Sequence, residues 1–516
     1  MLISNKLHSF RNFGQQTYNK RIAKNTILLY IRMLFSMIVG LYTVRAIIKI
    51  LGVEDFGIYN VVAGTVTSFS FLSSTTVSAI QRFLSFSLGK NDMTSYLKYF
   101  KSSLYIFIFI SIISFLLANT IGLWFVANYL VIPTERFTAA LWVYESCIVL
   151  LVSSFITVPY NAIIVSNERM NYYACISIVD VVLKLLVVLL LPIIKLDQLI
   201  AYAILLMCIG LFNICVYRYC AGIVMPLIKE EIEYGRLYTA KILGFTSWNI
   251  FGSLSGLARG QGINILINIF FGPTMNAAYG IAYQIYNAVN SFCSNFMMAV
   301  NPQIIKLYAK NEKNEWMCLV IRSSKISFGL LLVISFPLFC VMPQILDLWL
   351  VDYPLITVLF TRLVFINMLV ECLSQPLLTL AQATGNVKIY QLIVGGTLIL
   401  NLPISYIAFR IFSQPELCFY IIILFNIIAL VLRLLILKKS AGMDVNKFLN
   451  DSVFRCVYVL LFVVIFCYII LPIENVYDVV ELVLSFGVLS VLEFYLLFTQ
   501  HERVRIVNII RHKMRL

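Results

Sequence analysis

Long apolar runs, separated by short polar gaps, follow one another along almost the whole chain. Most are about 20 residues or longer, the length that a helix needs to cross roughly 30 Å of hydrocarbon. Hydrophobic residues make up 61% of the chain and charged residues 12%, a proportion that no soluble core of this size could bury. The pattern predicts an all-α polytopic membrane protein with 14 spans, at 25–50, 57–88, 102–130, 138–164, 172–194, 199–217, 242–270, 277–305, 323–346, 356–384, 389–411, 417–437, 456–472 and 479–499.

The 39 Lys and Arg residues concentrate in every second gap between these spans. The N-terminal tail and seven alternate gaps hold 29 of them, and five more lie within spans. The opposite gaps and the span ends beside them hold only Arg45, Lys49, Arg136, Lys195 and Arg410. Because cytoplasmic loops carry an excess of Lys and Arg, this distribution places both termini in the cytoplasm. The net charge of +15 is then an inner-face bias, and no nucleic-acid partner is expected.

Several classes of chemistry are disfavoured by what the sequence contains. The three His residues are His8, His501 and His512, all in the tails, and the 12 cysteines have no metal-ligand spacing. The chain carries no Walker motif. The first 24 residues lack a short apolar region followed by a small-residue cleavage site, so we expect no removable signal peptide. The outer loops are too short for the carboxylate-bearing loops of a membrane polymerase. We therefore expect no catalytic activity, metal or cofactor.

The sequence also suggests an internal repeat with an offset of roughly 220 residues. Weak matches recur in the same order, such as 90–92 with 310–312 and Pro159 with Pro376. Both halves begin in the cytoplasm, so the repeat is parallel, and two such lobes typically enclose a substrate cavity. The predicted organisation is a tail (1–24), an N-lobe (25–220), an amphipathic linker (221–241), a C-lobe (242–438), a helix pair (439–500) and a basic tail (501–516).

Three arginines lie deep within predicted spans, namely Arg32, Arg82 and Arg259. None has an acidic residue three or four positions further along its own helix. An Arg fork matches phosphate oxygens, so one hypothesis is that they line a positively charged cavity. The alternative is that they extend to the inner headgroups, which applies least to Arg259 at mid-span.

Acidic residues within spans are candidates for coupling to an ion. Asp180 and Lys184 are four residues apart on one helix and form either a structural ion pair or a relay. Glu145 and Glu371 are single acids in spans four and ten and could carry a coupling ion.

Glycines concentrate in the seventh span. Gly256, Gly260 and Gly262 either allow this helix to bend as a hinge or allow a neighbouring helix to approach closely.

Several segments resemble Wzx-type polysaccharide flippases, the O-antigen and capsule transporters of the MOP superfamily, which also contains the MATE drug exporters and the lipid II flippase. The resemblance is carried by 25–33, 41–45, 51–62, 81–84, 89–92, Pro159 and 167–173. It extends to the arrangement of six, six and two spans. It implies a cavity lined mainly by the first two spans of each half, with Arg32, Arg82 and Arg259 on or near it.

The function implied by the resemblance is translocation of undecaprenyl-diphosphate-linked oligosaccharide across the cytoplasmic (inner) membrane by alternating access. Its implied partners are this lipid-linked substrate, membrane lipids, a coupling H⁺ or Na⁺, a polysaccharide polymerase and a chain-length regulator. Two further transport hypotheses remain open: a MATE-like cation-coupled drug exporter and a lipid II flippase. The enzyme alternative, a membrane polymerase or ligase, would need a large outer loop.

Overall fold

A computed structural model describes residues 2–67, 71–129, 133–229, 235–350 and 353–470, together with 487, 495–497 and 503. All regular secondary structure in these residues is helical. Among the described residues, ten helices are long and apolar enough to span a membrane, and they correspond to predicted spans 1, 3–6 and 9–13. Spans 7 and 8 fall within one long helix, and the second half of span 2 forms a shorter one. Span 14 and the basic tail lie almost entirely outside the described residues.

The first of two compact units comprises Met1–Thr246. The central helix α5 packs against α7, α3, α2 and α1, and a buried apolar cluster joins α1, α6 and α7. A π-helical turn, Ala118–Gly122, connects α3 to α4, and a short 3₁₀ segment, Thr134–Arg136, leads into α5. The helices are α1 Leu2–Thr67, α2 Phe71–Gly89, α3 Met93–Leu117, α4 Leu123–Tyr129, α5 Phe137–Ser166, α6 Met170–Leu190 and α7 Gln198–Val224.

The second unit comprises Ser247–Leu516. It contains most of α8, and α11 packs against α16 and α9. Its core is formed by apolar side chains of α8, α11, α15 and α16. The helices are α8 Arg236–Ala309, α9 Lys313–Cys340, α10 Met342–Trp349, α11 Ile356–Cys372, α12 Gln375–Thr384, α13 Lys388–Tyr390, α14 Gly396–Ile399, α15 Asn401–Phe412, α16 Leu417–Ser440, α17 Val445–Phe448 and α18 Phe454–Ile470.

Backbone landmarks recur in the two units at the spacing of the sequence repeat. The long helices α1 and α8 are each interrupted at a glycine, Gly52 and Gly272, both with φ of 81°. Asn91 and Asn311 both adopt left-handed conformations, with φ of 56° and 59°. Each Asn follows the end of a helix, and in both cases the next amide hydrogen-bonds to the carbonyl five residues earlier, which is the Schellman pattern. The repeat is therefore visible in turn geometry as well as in sequence.

Gly272 offers a direct test of this backbone break. Its φ of 81° and ψ of −177° lie in a region that is essentially reserved for glycine, while nothing approaches within 4 Å of the position of an added Cβ. Gly272→Ala is therefore expected to destabilise the protein by roughly 1–3 kcal/mol through backbone strain alone.

Thermal unfolding of the detergent-solubilised protein measures the effect. Gly280→Ala is the matched control, because this glycine is helical and equally free of neighbours within 4 Å. The control is expected to be neutral or slightly stabilised. Equal unfolding temperatures for the two variants would contradict the proposed strain.

Candidate functional site

A cavity of about 400 Å³ lies within the first unit, between α1, α5, α6 and α7. Its charged lining residues are Arg32, Asp180 and Lys184, two cationic groups and one carboxylate. Hydroxyl and amide side chains make up much of the remaining wall, namely Ser36, Ser153, Ser154, Thr157, Ser177, Asn213 and Tyr217. The structure thus brings Arg32 of α1, a predicted phosphate-binding residue, together with Asp180 and Lys184 of α6, two predicted coupling residues.

The carboxylate in this cavity has two polar partners. Lys184 Nζ lies 2.8 Å from Asp180 Oδ2, as their spacing of four residues allows. From α7, Asn213 Nδ2 donates a hydrogen bond of 2.7 Å to Asp180 Oδ1. Asp180 is thereby compensated by a cation on its own helix and oriented by an amide on the next. A relay function for the pair stays a prediction.

Arg32 on α1 contacts α6 through Tyr173. Its Nη1 donates a hydrogen bond of 3.3 Å to Tyr173 Oη, and its guanidinium carbon lies 5.0 Å from the centre of the same ring. This contact holds the guanidinium against the face of the Tyr173 ring.

Arg82 occupies a different environment near the end of α2. The residue is buried, with an exposed fraction of 7%, and its guanidinium lies 4.6 Å, 4.7 Å and 5.5 Å from the ring centres of Phe83, Phe86 and Phe245. Arg82 is not among the residues that line the cavity. Its phosphate-binding role therefore remains a prediction with no support from this geometry.

The second unit has its own polar cluster, centred on Arg259. Arg259 Nη2 lies 3.5 Å from Glu371 Oε1, and Nη1 donates a hydrogen bond of 3.1 Å to Asn426 Oδ1. Asn426 in turn donates to Asn367 Oδ1 over 2.6 Å, and Tyr286 Oη donates to Glu371 Oε2 over 3.2 Å. Arg259 has no acidic neighbour along its own helix, but it has one on α11. This acid, Glu371, is a predicted coupling residue.

Glu145 lies half-buried on α5 and does not line the cavity. Its coupling role stays a prediction that neither polar cluster supports.

The three proposed hinge glycines keep helical backbone angles, and the non-helical residue within α8 is Gly272. A Cβ at Gly262 would clash with Leu402 on α15, whereas Gly256 and Gly260 have open space. Gly262 therefore serves close helix approach here, and the hinge hypothesis stays a prediction.

The sequence reasoning missed an ion cluster outside the spans of the first unit. Arg136 forms salt bridges with Asp55 and with Asp197. Asp197 also caps the N-terminus of α7 by accepting hydrogen bonds from the amides of Leu199 and Ile200. Burial disfavours the charge of Asp197, but these hydrogen bonds and Arg136 hold its pKa below the ordinary value. The sequence did contain a signal for this cluster, because Arg136 is a cation in a gap of the set that holds few basic residues.

No protein-family model and no curated protein matches the chain by sequence. A multidrug resistance MATE family transporter of the MOP superfamily, in an outward-facing conformation, matches with a TM-score of 0.64 and 14% identity over 84% of this chain and 97% of its own. The chain has the fold of the MATE transporters.

Two further solved structures show the same likeness. A single-residue variant of the Vibrio cholerae MATE transporter VcmN matches with a TM-score of 0.61 and 16% identity, over 83% of this chain and 98% of its own. A MOP superfamily transporter from Pyrococcus furiosus matches with a TM-score of 0.65 and 13% identity, over 83% and 96%. The latter is described as having a reverse polarity of its binding pocket, which suggests a different function.

Proposed function

We propose that this protein is a flippase that moves an undecaprenyl-diphosphate-linked oligosaccharide from the inner to the outer leaflet of the cytoplasmic membrane. The observation that carries the proposal is the lining of the cavity in the first unit. It combines Arg32 and Lys184 with one carboxylate and a wall rich in hydroxyl groups. Cationic groups suit a diphosphate, and hydroxyl and amide groups suit a sugar.

The physical task of such a flippase is to move a charged headgroup through the membrane. An uncompensated charge at mid-membrane costs several kcal/mol or more. Arg32 in the first unit would offset this cost at the diphosphate, while the lipid tail stays in the bilayer. Arg259 in the second unit is a separate candidate for binding phosphate. The MATE-like fold supports alternating access as the way in which the site is exposed to each side in turn.

Pocket polarity also bears on the choice of substrate within this fold. The P. furiosus transporter is described as having a pocket of reverse polarity and a different function. By the same argument, we infer an anionic cargo for this chain, because its cavity lining carries more cationic than anionic groups. A lipid II flippase would share this chemistry, because lipid II also carries a diphosphate.

A specific observation favours a second candidate, a MATE-like cation-coupled drug exporter. Asp180 lines the cavity and Glu371 lies in the other polar cluster, and either acid could bind a cation. In this structure, however, each acid has a cationic side chain within 4 Å. A positively charged drug would have to displace Lys184 or Arg259 first.

The test of the proposal compares a deletion strain with its parent. Loss of the protein is expected to leave undecaprenyl-diphosphate oligosaccharide on the inner leaflet and to deplete one surface polysaccharide. Lipid-linked glycans are extracted after exposure of the cells to a glycan-modifying enzyme or label that acts only from outside.

Equal accessibility of the glycan in both strains would refute the flippase proposal. Broad sensitivity of the deletion strain to cationic drugs, with normal polysaccharide, would support the exporter instead. The proposed polymerase and chain-length regulator can be tested in parallel, because each should be needed for full-length polysaccharide while leaving translocation intact.

A further inference from the structure

The hydroxyl groups that α5 contributes to the cavity of the first unit can only accept hydrogen bonds from a ligand. Ser153, Ser154 and Thr157 line the cavity, and each hydroxyl donates its single hydrogen over 2.7 Å to a carbonyl of its own helix. Only the lone pairs of these oxygens then remain for a ligand. This side of the cavity therefore suits groups that donate hydrogen bonds.

The helices α6 and α7 contribute a carboxylate whose charge is already compensated. Asp180 Oδ2 lies 2.8 Å from Lys184 Nζ, and Asp180 Oδ1 accepts a hydrogen bond of 2.7 Å from Asn213 Nδ2. The side chains of Asp180 and Lys184 are 22% and 44% exposed, so both can be reached from the cavity that they line. Their remaining lone pairs and N–H groups offer a ligand both acceptors and donors, without net charge.

Arg32, the cation proposed to bind the diphosphate, is held at another level of α6. It contacts Tyr173, and Asp180 follows seven residues later on the same helix, which corresponds to about 10 Å of helix rise. A diphosphate at Arg32 therefore leaves room beside Asp180 for the sugar attached to it. The cavity of about 400 Å³ is near the lower end of the range for small-molecule sites, roughly 300–1,000 Å³, so it suits the first part of a glycan rather than a long chain.

The charge of that sugar decides how well it can bind beside these groups. An uncharged sugar presents hydroxyls that donate and accept, so it can donate to the α5 hydroxyls and to Asp180 and accept from Lys184 or Asn213. The carboxylate of an acidic sugar only accepts. It would meet lone pairs on α5 and the negative charge of Asp180, while Lys184 is already paired. A desolvated charge without compensation is costly.

We propose that the part of the cavity around Asp180 is a subsite for an uncharged, hydroxyl-rich sugar, the one attached directly to the diphosphate. This inference rests on the proposed flippase function and names the class of sugar that its cargo carries at this position. Asp180 is the residue that determines the specificity, and Asn213 orients its carboxylate. A sugar that carries a carboxylate is rejected at this position.

The experiment measures binding of three synthetic probes to the full-length protein in nanodiscs at neutral pH. Geranylgeranyl diphosphate carries no sugar, and the other two probes carry glucose or glucuronic acid on the diphosphate. The wild type is expected to bind the glucose probe about tenfold more tightly than the sugar-free probe, the gain that a few added hydrogen bonds provide. The glucuronic acid probe should gain nothing over the sugar-free probe.

Asp180→Asn tests whether the carboxylate sets this preference. The variant keeps a side chain of similar size and removes the charge that compensates Lys184. It should bind the glucose probe several-fold more weakly than the wild type does, and the glucuronic acid probe several-fold more tightly, because Lys184 can then pair with the sugar carboxylate. Asp451→Asn is the matched control, because it breaks the same kind of pair, with Arg455, in the second unit. It should bind all three probes as the wild type does.

The possible failures of the inference and of the proposed function can be told apart. If the wild type gains nothing from glucose, or binds the glucuronic acid probe as tightly as the glucose probe, the sugar subsite is overturned and the flippase proposal stands. This comparison does not depend on whether Asp180→Asn folds. Weaker binding of both sugar probes to Asp180→Asn would overturn the role of Asp180 in specificity. Absence of binding of all three probes to the wild type would overturn the proposed function together with this inference.

Discussion

Arg259→Ala is expected to lower transport of the lipid-linked glycan by roughly 10- to 100-fold while the protein still inserts and accumulates. A charged hydrogen-bonded contact contributes about 1.5–3 kcal/mol, which corresponds to that range of rates or affinities. The Ala variant loses the contact with the cargo and also leaves Glu371 without its cation. Arg259→Lys keeps the charge and loses the planar fork, so an intermediate rate is expected.

The measurement is the rate at which glycan becomes accessible from outside, normalised to the amount of protein in the membrane. Arg433→Ala provides a control, because this arginine is also on the second unit but stands outside the cluster around Glu371. Full transport by Arg259→Ala at normal protein level would remove this residue from the mechanism.

A large part of the fold could be predicted because the bilayer constrains each helix separately. Length, apolarity and the alternation of basic gaps are local properties, and ten of the predicted spans have counterparts among the spanning helices. The backbone breaks were missed, although the repeat contained the signal: Gly52 and Gly272 stand 220 residues apart and share φ of 81°. The sequence predicted hinges at Gly256, Gly260 and Gly262 instead, where the helix is regular.

The candidate site was predictable only where partners share a helix. Asp180 and Lys184 are four residues apart, so helix geometry alone brings them together. Arg259 and Glu371 lie on different helices and 112 residues apart, and their contact depends on how α8 and α11 rotate against each other. Helices that are apolar on all sides give little indication of that rotation. The same limit hid the contact between Arg136 and its two aspartates.

Arg136→Ala is expected to cause the largest loss of stability outside the predicted spans. The side chains of Arg136, Asp55 and Asp197 are only 28%, 18% and 30% exposed, and removing the cation leaves two carboxylates close together. Breaking a fully buried pair costs roughly 3–5 kcal/mol, so about 2 kcal/mol is expected for this partly exposed one. Arg410→Ala is the control, because this exposed cation on α15 stacks on Tyr406 and should contribute well under 1 kcal/mol.

The pH dependence distinguishes this ion cluster from a simple loss of packing. The pKa of Asp197 is lowered in the folded protein, so its stabilising effect is present above the ordinary aspartate value of about 3.9 and is lost as pH falls below it. In Arg136→Ala, the cation that lowers the pKa of Asp197 is absent. The stability difference between wild type and variant should therefore shrink as pH falls from about 4 towards about 2, through the lowered pKa of Asp197. A difference that stays constant over this range in thermal unfolding would show that Arg136 acts through packing rather than through its charge.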